Sequence, residues 1–114
     1  MRLENVEKHL QEKLKDPYFK ELHELEEQKL GIVKRIIGYR VKHNLNQRQL
    51  ASKVGVTQQH ISKIENGDFS SVMTLERVLL AIGYTVRLRA VPLSPRVLNR
   101  IEQVLRSNVH PQVA

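Results

Sequence analysis

Leu45–Gly67, LNQRQLASKVGVTQQHISKIENG, reads as two short helices joined by a tight turn. Asn46 can cap the first helix, and Gln49 stands three residues on, as a capping box requires. Leu50 and Val54 supply an apolar face at i, i+4, and Ala51 is small enough to let a neighbouring helix approach. Gly55 falls where the chain needs φ > 0 or a close backbone passage. Thr57 can cap the second helix, which should run to Asn66-Gly67, a pair suited to a left-handed stop. Ile61 and Ile64 point inward. That leaves Gln58, Gln59, His60, Ser62 and Lys63 for the outer side and the exposed first turn. Solvated helix faces are usually filled with strong helix formers such as Glu, Lys and Ala. A Gln pair gains little there, but Gln can bond adenine N6 and N7 together in a major groove. For the Gln pair alone, a polar face with no ligand is the favoured reading. With the two-helix spacing, Gly55 and the basic charge added, the reading is DNA binding.

The pattern LNQ-x-x-LA-x-KVG-x-TQQ-x-I-x-x-x-ENG resembles the helix-turn-helix of lambdoid phage repressors and Cro, the Xre family. The resemblance implies a phosphate contact from Gln47 and base contacts from Gln58 and Gln59. Lys63 stands where the family often has Gln, so either a base or a phosphate is its expected partner. Thr57, His60, Ser62 and Asn66 complete the expected DNA-binding set. The family also pairs an Arg of the preceding helix with a Glu late in the recognition helix. The matching residues are Arg40 and Glu65, expected to orient the helices more than to stabilise them. The expected fold is mainly α: the five-helix lambda-repressor-like domain that the resemblance implies, with an N-terminal helical arm, a short C-terminal dimerisation strand and a C-terminal helix read from the residues outside it.

A chain of 114 residues has room for one modest core plus an arm or tail. No stretch of eighteen apolar residues suggests a membrane span, and no secretory signal pattern opens the chain. The lack of cysteine excludes a disulfide framework and thiolate metal sites, and it suits a cytoplasmic protein. Charge is unevenly spread. Residues 1–30 hold six Lys/Arg against eight Asp/Glu, residues 31–83 eight against three, and residues 84–114 five against one. A basic body suits a polyanion, whereas an acidic arm suits a basic partner or is simply a solvated helix.

Along the arm, residues 1–30, Leu3, Val6, Leu10 and Leu14 recur at helical spacing. Asp16-Pro17 restarts a helix, with Phe19, Leu22, Leu25 and Leu30 on one side. Gly31 either breaks this helix or is tolerated within it. The DNA-binding domain, residues 31–83, should begin with a helix over 32–43 that turns Val33, Ile36, Ile37 and Val41 inward. It should close with a helix capped by Ser71 that buries Val72, Leu75, Val78, Leu79 and Ile82. In the last segment, 84–114, apolar and polar residues alternate from Tyr84 to Val91, which argues a strand. A solitary strand is unstable, so Val86, Leu88 and Ala90 are expected to pair with a second copy, the alternatives being pairing with a partner's sheet or packing as an extended tail. Ser94-Pro95 starts a last helix with Val97, Leu98, Ile101, Val104 and Leu105 on one face and Arg96, Arg100 and Arg106 on the other. After Ser107 the chain should fray.

Five histidines, with none four residues from another, form no recognisable metal set, and there is no phosphate loop or nucleophile elbow. The reading is therefore a non-enzyme without cofactor or metal.

Two further segments, DPYFKELHELE from Asp16 and LERVLLAIGYTVRLRAVPL from Leu75, resemble HigA-like antitoxins of type II toxin–antitoxin systems. That resemblance implies a homodimer that binds double-stranded operator DNA, autoregulates its operon and neutralises a RelE/HigB-like ribonuclease toxin. Tyr18, Phe19, Glu21, Leu22, Glu24 and Leu25 are the candidate toxin-binding residues, since an acidic helix gains steering toward a basic groove. The alternative is a stand-alone Xre-family repressor with no toxin partner.

Overall fold

The computed structural model describes residues 3–108, which form six helices and no strand. They are α1 (Leu3–Lys13), α2 (Pro17–Lys42), α3 (Gln47–Val54), α4 (Gln58–Glu65), α5 (Val72–Ala81) and α6 (Pro95–Asn108). The expected fraying beyond Ser107 lies almost wholly outside the described residues. Gly31 does not break α2, which runs through it without interruption. One glycine costs a helix interior only about 1 kcal/mol relative to alanine, too little to interrupt a helix held by packing further along.

The chain forms two compact units: residues 27–89, and residues 1–26 together with 90–114. The 27–89 unit holds the hydrophobic core. Ile36, Leu50, Ile61 and Val78 are its four largest fully enclosed side chains, one each from α2, α3, α4 and α5. Ala51, Val54, Ile64, Leu75, Leu79 and Ile82 fill the space around them. This unit is built on four helices, not the expected five. Two inward assignments also fail: Val41 is 62% and Val72 47% exposed. Val41 lies in the last turn of α2, and Val72 is the first residue of α5, so each has left the packed stretch of its helix.

The expected strand is absent. Residues 84–91 are coil within the single chain, because no neighbouring segment offers a backbone ladder to pair with. Of the residues assigned to it, only Val86 packs against the core, while Leu88 and Ala90 are exposed.

The second unit contains no fully buried apolar side chain among its described residues. Leu10, Leu14, Phe19, Val97, Ile101 and Val104 are half-buried. An ion pair fastens the unit: Arg100 donates from Nε to Asp16 Oδ1 at 2.9 Å and from Nη2 to Oδ2 at 2.8 Å. Asp16 Oδ1 also accepts the Tyr18 backbone N–H at 3.0 Å, so one carboxylate caps α2 and holds α6. The Arg100 hydrogen bonds, helped by the Tyr18 N–H and opposed by partial desolvation, lower the Asp16 pKa from 3.8 to about 2. A depressed carboxylate pKa stabilises the folded state above the unfolded value, and that contribution is lost as pH falls through the folded one. Between about pH 4 and pH 2 the clasp should therefore release. A carboxyl NMR titration is expected to give Asp16 a midpoint near 2, returning toward the ordinary range in Arg100→Ala. An ordinary midpoint in the unaltered protein would contradict the clasp.

Candidate nucleic-acid interface

Helix α4 is short and is fixed at both ends by its own sequence. At the start, the Thr57 hydroxyl accepts the His60 N–H at 3.2 Å, and His60 Nδ1 accepts the Thr57 N–H at 3.4 Å. This reciprocal box satisfies two backbone donors that a helix start would otherwise leave unpaired. At the end, Gly67 at φ 84° lets its own N–H reach Ile64 O and the Asp68 N–H reach Lys63 O, both at 2.9 Å. Such a left-handed stop is what Asn66-Gly67 suggests in the sequence.

Ile61 and Ile64 are buried, which fixes the rotation of α4. Gln59, Ser62, Lys63 and Asn66 then fall at i, i+3, i+4 and i+7 on the opposite side, with Gln58 beside them in the first turn. Gln58, Gln59, Lys63 and Asn66 are exposed, and Ser62 is half-buried. Thr57 and His60 are also exposed, but each already serves the cap. With His60 Nδ1 accepting a bond, the neutral ring carries its proton on Nε2, which leaves a donor for an anion or a base acceptor.

The preceding helix is set just as firmly. Asn46 Oδ1 accepts the Gln49 N–H at 2.7 Å, and Gln49 Oε1 accepts the Asn46 N–H at 2.8 Å. Gly55, at φ 80°, ends α3 in a conformation that a side-chain-bearing residue rarely adopts. Arg77 of α5 reaches back and donates from Nε to Val54 O at 3.1 Å, satisfying one of the last carbonyls of α3.

Arg40 joins these parts. Its Nε donates to Glu65 Oε2 at 2.9 Å, its Nη2 to Oε1 at 3.0 Å, and its Nη1 to Leu45 O at 3.2 Å. One guanidinium thus ties the end of α2 to the turn before α3 and to the last residue of α4. Glu65 retains 5% of its side-chain exposure and Arg40 20%. Gln47 enters the same cluster, donating from Nε2 to Glu65 Oε1 at 3.1 Å. Its side-chain donor group is thereby engaged, while the backbone at the first turn of α3 stays suited to an anion.

The candidate arm residues lie in α2. Phe19 and Tyr18 are half-buried, with Lys13 Nζ 5.5 Å from the Phe19 ring centroid. Leu22 and Leu25 are 45% and 55% exposed, and Glu21 and Glu24 are exposed beside them. Sequence reasoning missed Arg77 and the Asp16–Arg100 clasp. Neither leaves a local signal, because their partners lie 23 and 84 residues away.

Among the described residues, no helix is long and apolar enough to cross a membrane, and no group of three or more His, Asp or Glu could hold a metal ion. No solved structure matches the chain. Residues 36–88, a little under half of it, match the family model described as Helix-turn-helix (HTH_3), which supports a DNA-binding role in transcription regulation.

Proposed function

We propose that the chain is an antitoxin that acts as a homodimer, binds its operator through α4 and neutralises a RelE/HigB-like ribonuclease toxin through the acidic part of α2. The observation that carries the DNA half is the outward row Gln59, Ser62, Lys63 and Asn66 with Gln58 beside it, on a helix capped at both ends and backed by Ile61 and Ile64. Two copies would present this row to successive half-sites about one helical turn apart. A second copy would also cover Leu88, which is 71% exposed on the 84–91 coil. The toxin half rests on Leu22 and Leu25, apolar and exposed, flanked by Glu21 and Glu24. An amphipathic acidic face of this kind fits a groove on a basic protein.

A stand-alone repressor is favoured by one feature: Tyr18 and Phe19 are half-buried and the adjoining Asp16 is clasped by Arg100, as in a purely structural segment. The two readings separate experimentally. Leu22→Glu with Leu25→Glu should weaken capture of a purified RelE/HigB-like toxin by more than about tenfold, because hot-spot apolar contacts are lost. Operator affinity should stay within about twofold, since both side chains lie outside the helix-turn-helix. Undiminished capture, measured by calorimetry, would leave the repressor reading standing.

A further inference from the structure

The 27–89 unit carries a groove of about 430 Å³ lined by Lys34, Arg35, Tyr39, Lys42, His43 and Tyr84, with Gly38 on its floor. Its walls are held in place. Lys53 Nζ donates to Tyr39 Oη at 2.7 Å, the Tyr39 and His43 rings lie 4.2 Å apart, and the Arg35 guanidinium carbon is 5.7 Å from the Tyr84 ring centroid. Lys34, Arg35 and Lys42 are exposed, and a Cβ added at Gly38 would meet nothing within 4 Å. This is an open cationic trough with aromatic sides, a shape and charge suited to carboxylates carried on a helix.

The groove is distinct from the pocket beside the first turns of α4. His60 and Lys63 of α4 share a surface pocket with Thr74 in the first turn of α5, whereas Ile82, just past the end of α5, borders the groove. Thr74 and Ile82 are separated by eight residues of α5 and its cap, about 12 Å of helical rise. The groove thus stands at the other end of α5 from the pocket that His60 and Lys63 share with Thr74.

We infer that the groove receives the acidic turn of α2, Glu21 and Glu24, from a second copy of this chain. Residues 1–30 carry more acids than bases, whereas the groove lining carries three exposed cations and no acid. A two-fold axis makes the contact twice, so each copy gives one acidic turn and takes one. Tyr84 belongs both to the groove wall and to the 84–91 segment assigned above to dimer contact, so the two surfaces are continuous. The inference rests on the homodimer reading and adds to it the side chains that set the pairing. It also gives Glu21 and Glu24 two competing partners, the second copy and the toxin, so that toxin binding would loosen the dimer.

The test uses two full-length variants, Lys34→Glu with Lys42→Glu and, separately, Glu21→Lys with Glu24→Lys. Each alone places like charges in both grooves of its own dimer. Sedimentation equilibrium near 0.1 M salt should show each dissociating about tenfold more readily than the unaltered protein. Mixed in equal amounts they should form a heterodimer of near-native stability, because both grooves then meet opposite charge. That recovery shows that each variant is folded and that the contact is intermolecular. Dimers indifferent to every substitution would overturn the inference while leaving the homodimer reading intact. A mixture no tighter than its components would overturn it too, as would variants that lose operator affinity at unchanged dimer mass, which would assign the groove to DNA. A protein that stays monomeric both free and on operator DNA would overturn both readings.

Discussion

Arg40→Ala should destabilise the helix-turn-helix unit by about 2–3 kcal/mol, lowering the thermal midpoint by roughly 10–15 °C. The cost comes from what is left behind more than from what is removed. Glu65 keeps only 5% of its side-chain exposure, and both of its oxygens are engaged by the guanidinium. Without Arg40 it retains a single neutral donor, Gln47 Nε2, and a carboxylate so covered is poorly solvated by water. The loss should fall below the roughly 3–5 kcal/mol typical of a deeply buried pair, because Arg40 itself is 20% exposed. The Leu45 carbonyl would lose its donor as well, loosening the turn that aims α3. A two-residue control isolates the charge effect. Arg40→Met combined with Glu65→Leu removes both ions and should be more stable than Arg40→Ala alone, as measured by urea unfolding. Equal destabilisation of single and double variants would mean that packing, and not an orphaned carboxylate, carries the effect.

The parts of this fold that the sequence reveals are those whose physics is local. Asn46 with Gln49, Thr57 at the start of α4, and Ser71 before α5 each cap a helix within three or four residues, so spacing alone is enough to find them. The inward faces of α3, α4 and most of α5 follow from helical periodicity for the same reason. The errors sit where an outcome depends on something distant or on a second chain. Alternation from Tyr84 to Val91 describes a segment able to pair, and pairing needs a partner that one chain does not supply. Val41 and Val72 satisfy the periodicity but stand at helix ends, beyond the reach of neighbouring helices. Gly31 is ambiguous in the sequence because propensity is weak beside the packing that holds α2 from Val33 onward. The clasp between Asp16 and Arg100 has no sequence signature, since any acid and any arginine would look alike until the fold joins them.

The candidate site divides similarly. The outward placement of Gln58 and Gln59 follows from Ile61 and Ile64 alone, and two side chains acquire tasks that spacing did not show. His60 spends Nδ1 on the Thr57 cap, and Gln47 spends its donor on Glu65. On the proposed reading, base contact would therefore fall most heavily on the two glutamines. Gln59 opens the exposed row, and Gln58 stands beside it in the first turn, closest to the helix end that would enter a groove. Removing both amides by Gln58→Ala with Gln59→Ala should cost roughly 2–6 kcal/mol on a specific duplex, the sum of two contacts each worth about 1–3 kcal/mol. Phosphate contacts, which carry binding to arbitrary sequence and its steep salt dependence, would be left in place.

The decisive measurement is a paired titration of the unaltered protein and this double variant, at one salt concentration. One duplex would be selected from a random pool by the unaltered protein, and the other would be scrambled from it. The account predicts a loss of about 30-fold or more on the selected duplex and less than about threefold on the scrambled one. Equal losses on both, or none on either, would contradict the claim that α4 reads DNA sequence through Gln58 and Gln59.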